Sequence, residues 1–356
     1  MKRRYLEYRL RKPTAVTLAT AAAPRVGGHP AVVRVIIALI MTLFAAAASP
    51  DRAQASFPGE NGRFVLTWNT SRSGVSTDFI ATAAKAGGDL RVLARCSYEC
   101  HHRGGDWAPS GRRLVYVNEC PNCTNKLVVV RPNGSHRKVI YRAEILSSPV
   151  WSPDGRRIAF VEYRWLASAG DWVSDIYVIR RDGTGRTRVT RTRRSEDQLD
   201  WSSRNRLVFS KGRALFTMRP SGRALRRLTD NVVRDSQPDW APGGRRLTFV
   251  RGGEIWRMRA SGENASMIAS GDSPTWAPDG SLIAFVGAAD GAIHTVKPSG
   301  EDDTFIGSPV RRGRVSELDW QPRGCGRSCR GPFELVMAGR AERDQVAEVV
   351  RASTLR

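Results

Sequence analysis

The feature that most constrains the fold of this chain is a pentapeptide that returns along most of its length. Full copies read Trp-Ala-Pro-Ser-Gly, Trp-Ser-Pro-Asp-Gly, Trp-Ala-Pro-Gly-Gly, Trp-Ala-Pro-Asp-Gly and Trp-Gln-Pro-Arg-Gly, and one degenerate copy reads Trp-Ser-Ser-Arg-Asn. A period of about 40–45 residues is typical of one four-stranded propeller blade and is too long for a helical hairpin repeat. In chain order the copies start at Trp107, Trp151, Trp201, Trp240, Trp276 and Trp320.

The clearest single repeat predicts four strands joined by hairpins. Pro149–Trp151 is a short extended run, and the Ser-Pro-Asp-Gly segment after it is a turn, because proline and Asp-Gly supply the backbone angles of tight turns. Arg157–Val161 and Asp175–Ile179 are rich in β-branched and aromatic residues and predict the second and third strands. Arg186–Thr190 alternates Arg and Thr, which suits an outer strand exposed to water.

The repeated tryptophans are interpreted as structural. One large apolar ring per repeat, always at the same register, fills the wedge between neighbouring sheets. We therefore expect all six rings to be core residues rather than ligand-binding residues.

The Pro-x-Trp-Ser-Pro-Asp-Gly, Ile-Ala-Phe, Ile-Tyr-Val and Asp-Gly-x-Gly series resembles the TolB-type β-propeller repeat. The resemblance covers about residues 57 to 322, and the Gly-His…Trp-Asp signature of WD repeats is absent. It implies a six-bladed propeller, secreted or periplasmic, that serves as a binding scaffold.

The number of blades depends on how the two ends of the repeat region combine. Arg63–Trp68 matches a second strand with no first strand before it, and Ser316–Trp320 matches a first strand with no blade after it. We expect the C-terminal strand to complete the first blade, which closes a ring of six. The alternative is a seventh blade built from Phe333–Met337 and Gln345–Val350.

The N-terminal segment predicts export. Residues 35–48 form an apolar run of fourteen residues, shorter than the about 20 that a membrane-spanning helix needs. The run follows an arginine-rich segment and precedes Ala53-Gln-Ala55, a small-x-small cleavage pattern. We expect a signal peptide over residues 1–55, cleaved after Ala55, a propeller over 56–323 and a tail over 324–356. The mature protein would lack a membrane span and lie in the periplasm or envelope of a bacterium, or outside the cell.

Six cysteines fall into three closely spaced pairs. An even count in an exported protein favours disulfides. A zinc site competes with this interpretation, because the first pair with the adjoining His101 and His102, together with Cys120 and Cys123, offers enough ligands for one tetrahedral site. The pairs are Cys96 with Cys100, Cys120 with Cys123, and Cys325 with Cys329.

The chain is strongly basic, with 57 Lys and Arg against 34 Asp and Glu. Without residues 1–55, the remaining 48 basic and 32 acidic residues still give a net charge of +16. Such a charge attracts anionic polymers. No nucleic-acid-binding motif accompanies it, so a nucleic-acid partner is not expected.

No motif for catalysis or cofactor binding is present. The sequence lacks Gly-x-Ser-x-Gly, Gly-x-x-x-x-Gly-Lys-Ser/Thr and His-Glu-x-x-His. A carboxylate precedes the repeat tryptophan four times, which predicts a repeated strand-end hydrogen bond or, alternatively, a ring of carboxylates that holds a cation. We expect no enzyme, no cofactor and no metal. These carboxylates are Asp106, Asp200, Asp239 and Asp319.

A partner is expected on the face with the irregular connections, because function in rigid scaffolds concentrates in loops. The longest is the predicted loop Glu162–Ser174, rich in aromatic residues, and the exit from the same repeat is rich in arginine. The sequence therefore predicts a monomeric scaffold that binds a protein or an anionic envelope polymer there. The alternative is a hydrolase or lyase that acts on an anionic glycan. The candidate binding residues are Tyr163, Trp165, Trp172, Arg191, Arg193 and Arg194.

Overall fold

The computed structural model describes residues 58–72, 75–86, 89–97, 101–119, 124–168, 170–192, 194–308 and 314–323. Within these ranges the chain forms strands and turns, and no helix there is long and apolar enough to cross a membrane. The predicted signal peptide, the C-terminal tail with its seventh-blade segments, and the side chains of all six cysteines lie outside the described residues.

The strands, in chain order, are β1 (Glu60–Arg72), β2 (Val75–Ala83), β3 (Arg91–Ser97), β4 (His102–Trp107), β5 (Leu114–Asn118), β6 (Asn125–Val130), β7 (Lys138–Ala143), β8 (Ile145–Trp151), β9 (Arg157–Leu166), β10 (Asp171–Arg180), β11 (Thr187–Arg188), β12 (Glu196–Trp201), β13 (Leu207–Lys211), β14 (Ala214–Met218), β15 (Arg226–Arg227), β16 (Asp235–Trp240), β17 (Arg246–Arg251), β18 (Glu254–Arg259), β19 (Ser266–Trp276), β20 (Ile283–Gly287), β21 (Ile293–Val296), β22 (Thr304–Gly307) and β23 (Arg314–Arg323).

The strands pair into antiparallel sheets. Four sheets have four strands each, in the orders β23-β1-β2-β3, β4-β5-β6-β7, β8-β9-β10-β11 and β12-β13-β14-β15. A further sheet runs from β16 to β22, and within it the first half of β19 pairs with β18 while the second half pairs with β20. The predicted all-β fold of four-stranded antiparallel blades is confirmed.

The repeat that contains Trp151 shows how closely the sequence predicts one blade. Its strands β8 to β11 follow the predicted order, and the glycine of the first turn, Gly155, has a φ of 63°. The outer strand is shorter than predicted, however, and spans only Thr187 and Arg188. The N–H groups of Val189 and Thr190 both point to the carbonyl of Ile176, so the ladder ends there.

The six repeat tryptophans are buried, with at most 5% of each side chain exposed. Each lies in an apolar cluster that joins two neighbouring blades. Trp151, for example, shares its cluster with Val117 and Leu127 of the sheet before it and with Ile158 and Phe160 of its own. The hydrophobic core is therefore divided into wedges between sheets, each with one of the six repeat tryptophans.

The last described strand belongs to the first sheet. β23 pairs antiparallel with β1, with Leu318 opposite Leu66. Trp320 packs on Phe64, with ring centroids 4.5 Å apart. The first strands of successive blades contact one another in the order β4, β8, β12, β16, β19 and β23, and β23 contacts β4. These are called the inner strands below.

Candidate functional site

The inner strands surround a cavity of about 480 Å³. Each of the six contributes two or more residues to its wall. Acidic side chains dominate the charged groups of this wall, although the protein as a whole is basic. This central cavity is one of two candidate sites, and the hairpin formed by β9 and β10 is the other.

Bulges in the inner strands shape the cavity wall. In β4, β8, β12, β16 and β19 the pairing with the following strand shifts register by a β-bulge within the four residues before the tryptophan. In β23 the pairing with β1 shifts register on both sides of Trp320. At five of these bulges the backbone has a positive φ, an angle that is strained for residues other than glycine. The bulges direct additional polar side chains into the wall. The positive-φ residues are Gly104, Ser148, Gln198, Gln237 and Ser273.

The four carboxylates that precede the repeat tryptophans bind the neighbouring blade. Asp106 accepts the backbone N–H of Trp151 at 2.6 Å, and Asp239 accepts that of Trp276 at 2.8 Å. Asp200 and Asp319 make the equivalent bonds to Trp240 and Trp107, and each also accepts the N–H of the tryptophan that follows it. We call these four residues the aspartate ring. The strand-end hydrogen bond expected from the sequence thus runs between blades.

Burial and mutual repulsion raise the pKa values of three members of the aspartate ring. Burial raises the pKa of Asp106 and that of Asp239 well above the usual range, and the neighbouring aspartates add to both shifts. Burial also raises the pKa of Asp319 to about 7, against the opposing effect of its two backbone N–H donors. The ring therefore holds protons near neutral pH that an unfolded chain would release.

A second series of contacts joins the blades at the level of the bulges. The side chain of Gln198 accepts the N–H of Gln237 at 3.0 Å, and the side chain of Gln237 accepts the N–H of Ser273 at 2.8 Å. Glu317 in β23 accepts the N–H of Gly104 in β4. Burial raises the pKa of Glu317. At these three junctions a side chain of one blade binds the backbone at the bulge of the next.

One mouth of the cavity carries a histidine and an arginine from the start of β4. His102 is 3% exposed, and neither ring nitrogen has a hydrogen-bond partner among the described residues. Burial lowers the pKa of His102 to about 4, and the charge of Arg137 adds to the effect. Arg103 pairs with Glu119 at 3.0 Å. The preceding His101 binds Asp78 at 2.5 Å.

The acidic groups of the cavity are already engaged as acceptors. Among the described residues, no three His, Cys, Asp or Glu side chains are grouped as ligands of one metal ion. The zinc interpretation of the cysteines lies outside the described residues, and the two histidines adjoining them face Asp78 and Tyr116 instead. The carboxyl groups of the aspartate ring and of Glu317 are therefore occupied by contacts within the protein.

The second candidate site corrects the sequence prediction of a loop over 162–174. β9 and β10 continue as a regular ladder to the pair of Leu166 and Asp171, and their outer ends pair only with each other. Trp165 lies directly opposite Trp172, and their rings meet edge to face at 5.8 Å. Trp165 is 53% exposed. A cross-strand aromatic pair stabilises the hairpin and leaves an apolar surface at its end.

Of the other candidate residues, the structure brings some to this hairpin. Thr192 donates its N–H to Asp175 at 3.0 Å, and the Ser195 hydroxyl contacts the carbonyl of Trp172 at 3.4 Å. These bonds hold the segment that carries the exposed Arg191 and Arg194 against the hairpin. Arg193 lies outside the described residues.

Tyr163 takes a different place. It is half-buried and packs against the apolar cluster around Trp201. Burial raises the pKa of Tyr163, and the charge of Asp197 adds to the shift. Its ring supports the base of the hairpin, so it belongs to the core rather than to the exposed end.

Sequence reasoning missed most of the cavity wall. The bulge residues Gln198, Gln237 and Ser273 sit three residues before their tryptophans, as Gly104 and Ser148 do in their own repeats. An alignment of the repeats shows this fixed offset and indicates that the five residues share one backbone position. It does not show that this position adopts a positive φ.

Comparison with known proteins supports the family resemblance. The TolB beta propeller domain family matches residues 112–308, more than half of the chain. An uncharacterized protein of Agrobacterium fabrum is 27% identical over 160 residues, which are 38% of this chain and 53% of that protein. The match therefore spans about half the length of this curated relative.

Solved structures resemble the fold at low sequence identity. TolB from Acinetobacter baumannii superposes with a TM-score of 0.62 at 16% identity, over 75% of this chain and 68% of that chain. Hydrazine synthase from Kuenenia stuttgartiensis gives a TM-score of 0.58 at 10% identity, over 75% of this chain and 48% of that chain. At such identities the likeness shows the fold alone.

Proposed function

Because the chain belongs to the TolB β-propeller domain family, we propose that it is an exported, non-catalytic scaffold of the cell envelope. It binds a protein or an envelope polymer through the face that carries the β9–β10 hairpin. The observation that carries this proposal is the pair of Trp165 and Trp172 at the end of that hairpin, where large aromatic surface stands in solvent beside arginines.

The scaffold that we propose is a closed ring of six blades. Counting the halves of β19 separately divides the seven-stranded sheet into two blades and gives six with the four other sheets. The contacts of the inner strands from β4 round to β23, and from β23 back to β4, support this count. In such a ring the hairpin stands on a rigid base, because each blade is bonded to both neighbours.

The electrostatics of the hairpin favour an acidic partner. Asp175 is fully buried, and both Arg164 and Arg188 pair with it, at 3.3 Å and 2.5 Å. The carboxylate at the base is therefore neutralised, while Arg191 and Arg194 are exposed beside the tryptophans. Exposed arginines accelerate association with anionic surfaces, and the desolvated aromatic rings supply affinity.

The proposal of a non-catalytic role rests on the hydrogen bonds that the carboxyl groups of the cavity make. A glycosidase pair needs one carboxyl group to protonate the leaving oxygen and another to attack or activate water. Here Asp106, Asp239 and Glu317 each accept a backbone N–H of the neighbouring blade. Their positions follow the architecture, which supports a structural role in holding blades together.

The test is capture of envelope components by the purified protein and by a Trp165→Ala/Trp172→Ala variant. We expect the variant to lose most of the capture and to keep its melting temperature, since the ends of β9 and β10 pair only with each other. Phe305→Ala is the matched control, because Phe305 is 60% exposed on the edge strand β22. Equal capture by both variants would place the site elsewhere, and hydrolysis of an envelope glycan by the wild type would support the enzyme alternative.

The disulfides and the signal peptide are part of the same proposal. Cleavage after Ala55 and pairing of the six cysteines are expected of an exported chain. Mass measurement of the mature protein, alkylated without reduction, should show the cleaved N-terminus and no free thiol. One zinc per chain would contradict the disulfide assignment.

A further inference from the structure

A second cavity, of about 500 Å³, lies on the face of the short turns. Because β9 and β10 join at the opposite ends of their strands, this face is remote from the aromatic hairpin. Its wall contains four arginines and no acidic residue. We propose that this cavity, here called the arginine pocket, binds a small molecule that carries a phosphate group. Its lining residues are Arg157, Arg204, Asn205, Arg206, Arg219, Pro220 and Ser221.

The positive charge of the arginine pocket is only partly offset by neighbouring carboxylates, since Asp154 lies close enough to Arg157 for the two charges to interact. Arginines elsewhere in the described chain form ion pairs, as Arg186 does with Glu162 and Arg251 with Asp235. None of the four pocket arginines pairs with a carboxylate of the described residues. Guanidinium groups without salt-bridge partners leave positive charge on the pocket wall that an entering anion would offset.

Three of the guanidinium groups are held in place before any ligand arrives. The guanidinium carbon of Arg157 lies 5.6 Å from the ring centroid of Trp201. Arg204 donates through Nε to the carbonyl of Gly243 at 2.6 Å, and Arg206 through Nε to the hydroxyl of Thr217 at 3.4 Å. The terminal nitrogens remain for a ligand. Such fixed side chains lose little conformational entropy on binding.

The arginine pocket coincides with the one degenerate copy of the repeat. Arg204 stands where the preceding copy has Asp154, so an arginine replaces an acid of the turn. Asn205 stands where that copy has Gly155, and it adopts the same left-handed backbone, with a φ of 57°. The Asn205 side chain accepts the indole N–H of Trp201 at 3.0 Å.

That hydrogen bond distinguishes this copy from its neighbours. In three other copies the indole N–H has no hydrogen-bond partner among the described residues. The degenerate turn is therefore stabilised by its own contact. This copy keeps the turn of the repeat, but an arginine stands where the preceding copy has an aspartate. These three tryptophans are Trp107, Trp151 and Trp276.

The chemistry of the lining favours phosphate over other anions. Guanidinium groups are planar and offer paired N–H donors that match two oxygens of a phosphate. The hydroxyl of Ser221 adds a neutral donor. A volume of about 500 Å³ exceeds that of the bare ion and lies in the range of small-molecule sites. The pocket therefore suits a phosphate ester with a small polar group attached.

The test is isothermal titration of the purified full chain with glycerol 3-phosphate, inorganic phosphate and acetate. Two variants remove the charge: Arg204→Asp, which restores the acid of the preceding repeat, and Arg219→Gln. Arg259→Gln is the matched control, because Arg259 begins the equivalent turn of the next blade and does not line the pocket. Melting curves of all variants monitor folding.

We expect saturable binding of glycerol 3-phosphate that Arg204→Asp and Arg219→Gln each weaken by about tenfold or more, since each removes charge-assisted hydrogen bonds. The control should change affinity by less than about twofold. Inorganic phosphate binding as tightly as the ester would support recognition of the phosphate group alone.

Three outcomes would overturn the proposal. They are no saturable heat with either phosphate probe at millimolar concentration, acetate binding as tightly as phosphate, and an equal loss of affinity in Arg259→Gln and Arg219→Gln. The last would reveal diffuse attraction to a basic surface. If Arg204→Asp lowers the melting temperature, the affinity of Arg219→Gln tests the proposal, because Arg219 is exposed and anchors no apolar cluster.

Discussion

The carboxylate of Asp319 in β23 accepts the backbone N–H of Trp107 in β4 at 2.8 Å, across 212 positions of the sequence. Its other oxygen accepts the N–H of Trp320 at 2.7 Å. One side chain thus joins the last described strand to the second blade, while the same strand pairs with β1 of the first. The C-terminal strand is bonded on two sides and holds distant parts of the chain together.

Removal of β23 should therefore destabilise the whole domain. A chain that ends after Arg314 loses the buried Trp320 and the bonds of Asp319, whereas a chain that ends after Arg323 keeps both. Loss of one buried aromatic side chain costs about 3–5 kcal/mol. We expect the first truncation to lower the melting temperature by at least about 10 °C and the second to change it by much less. Equal, small shifts would contradict closure by β23.

A pair of glycines tests the same junction with single substitutions. Gly111 and Gly170 have φ values of 63° and 60°, so alanine is strained at both. A Cβ at Gly111 would lie 2.1 Å from the carbonyl oxygen of Pro322 at the end of β23, whereas one at Gly170 meets nothing within 4 Å.

Gly111→Ala should accordingly cost about 1–3 kcal/mol more than Gly170→Ala. Chemical denaturation of both variants measures the difference. Because the backbone strain is shared, the difference isolates the contact with β23. Closely similar losses in the two variants would show that β23 does not pack against this turn.

The sequence predicted the blade because its signals are local and repeated. The turn after Trp151 and the apolar run of β9 follow from proline, glycine and β-branched residues within one repeat, and the outer position of β11 follows from the alternation of Arg and Thr. The cavity was not predictable in the same way. The positive φ of Gln198 and Ser273 occurs where their N–H groups bind side chains of the preceding blade, a contact that no local pattern contains.

The aspartate ring should make stability fall as pH rises. The folded pKa values of Asp106, Asp239 and Asp319 exceed the unfolded ones. Their contribution to stability is therefore complete below the unfolded pKa near 4 and is lost as pH rises through the folded value, about 7 for Asp319. Each proton that only the folded state retains lowers the free energy of unfolding by about 1.4 kcal/mol per pH unit over that window.

Asp239→Asn tests this effect, because an amide oxygen can still accept the N–H of Trp276. Compared with the wild type, the variant should unfold at a higher denaturant concentration at pH 8 and show a smaller loss between pH 5 and pH 8. The control is Asp230→Asn, since the Asp230 side chain is 83% exposed and should leave the profile unchanged. A variant profile parallel to that of the wild type would show that Asp239 does not retain a proton.

The hairpin shows a different limit of sequence reasoning. Trp165 and Trp172 looked like loop residues because glycine, alanine and serine lie between them. Instead, the cross-strand contact of the two rings extends the ladder to the pair of Leu166 and Asp171. Contacts between side chains on opposite strands help to set where a hairpin turns. The sequence of one strand by itself does not show these contacts.

His102 should lower the free energy of unfolding as the pH falls, the opposite of the effect expected for the aspartate ring. Its folded pKa of about 4 lies below the unfolded value of 6.5, so its contribution is present above pH 6.5 and is lost as pH falls toward 4. Phenylalanine keeps the edge contact with Tyr116, where the ring centroids are 5.5 Å apart, and removes two buried nitrogens without partners among the described residues.

We expect His102→Phe to raise the free energy of unfolding by about 1 kcal/mol at pH 7, because an unsatisfied buried polar group is removed. The gain over the wild type should grow by about 3 kcal/mol between pH 7 and pH 4. Denaturant melts at four pH values measure both effects. Destabilisation of His102→Phe by the same amount at every pH would mean that the imidazole has a partner in the cavity and is not simply buried.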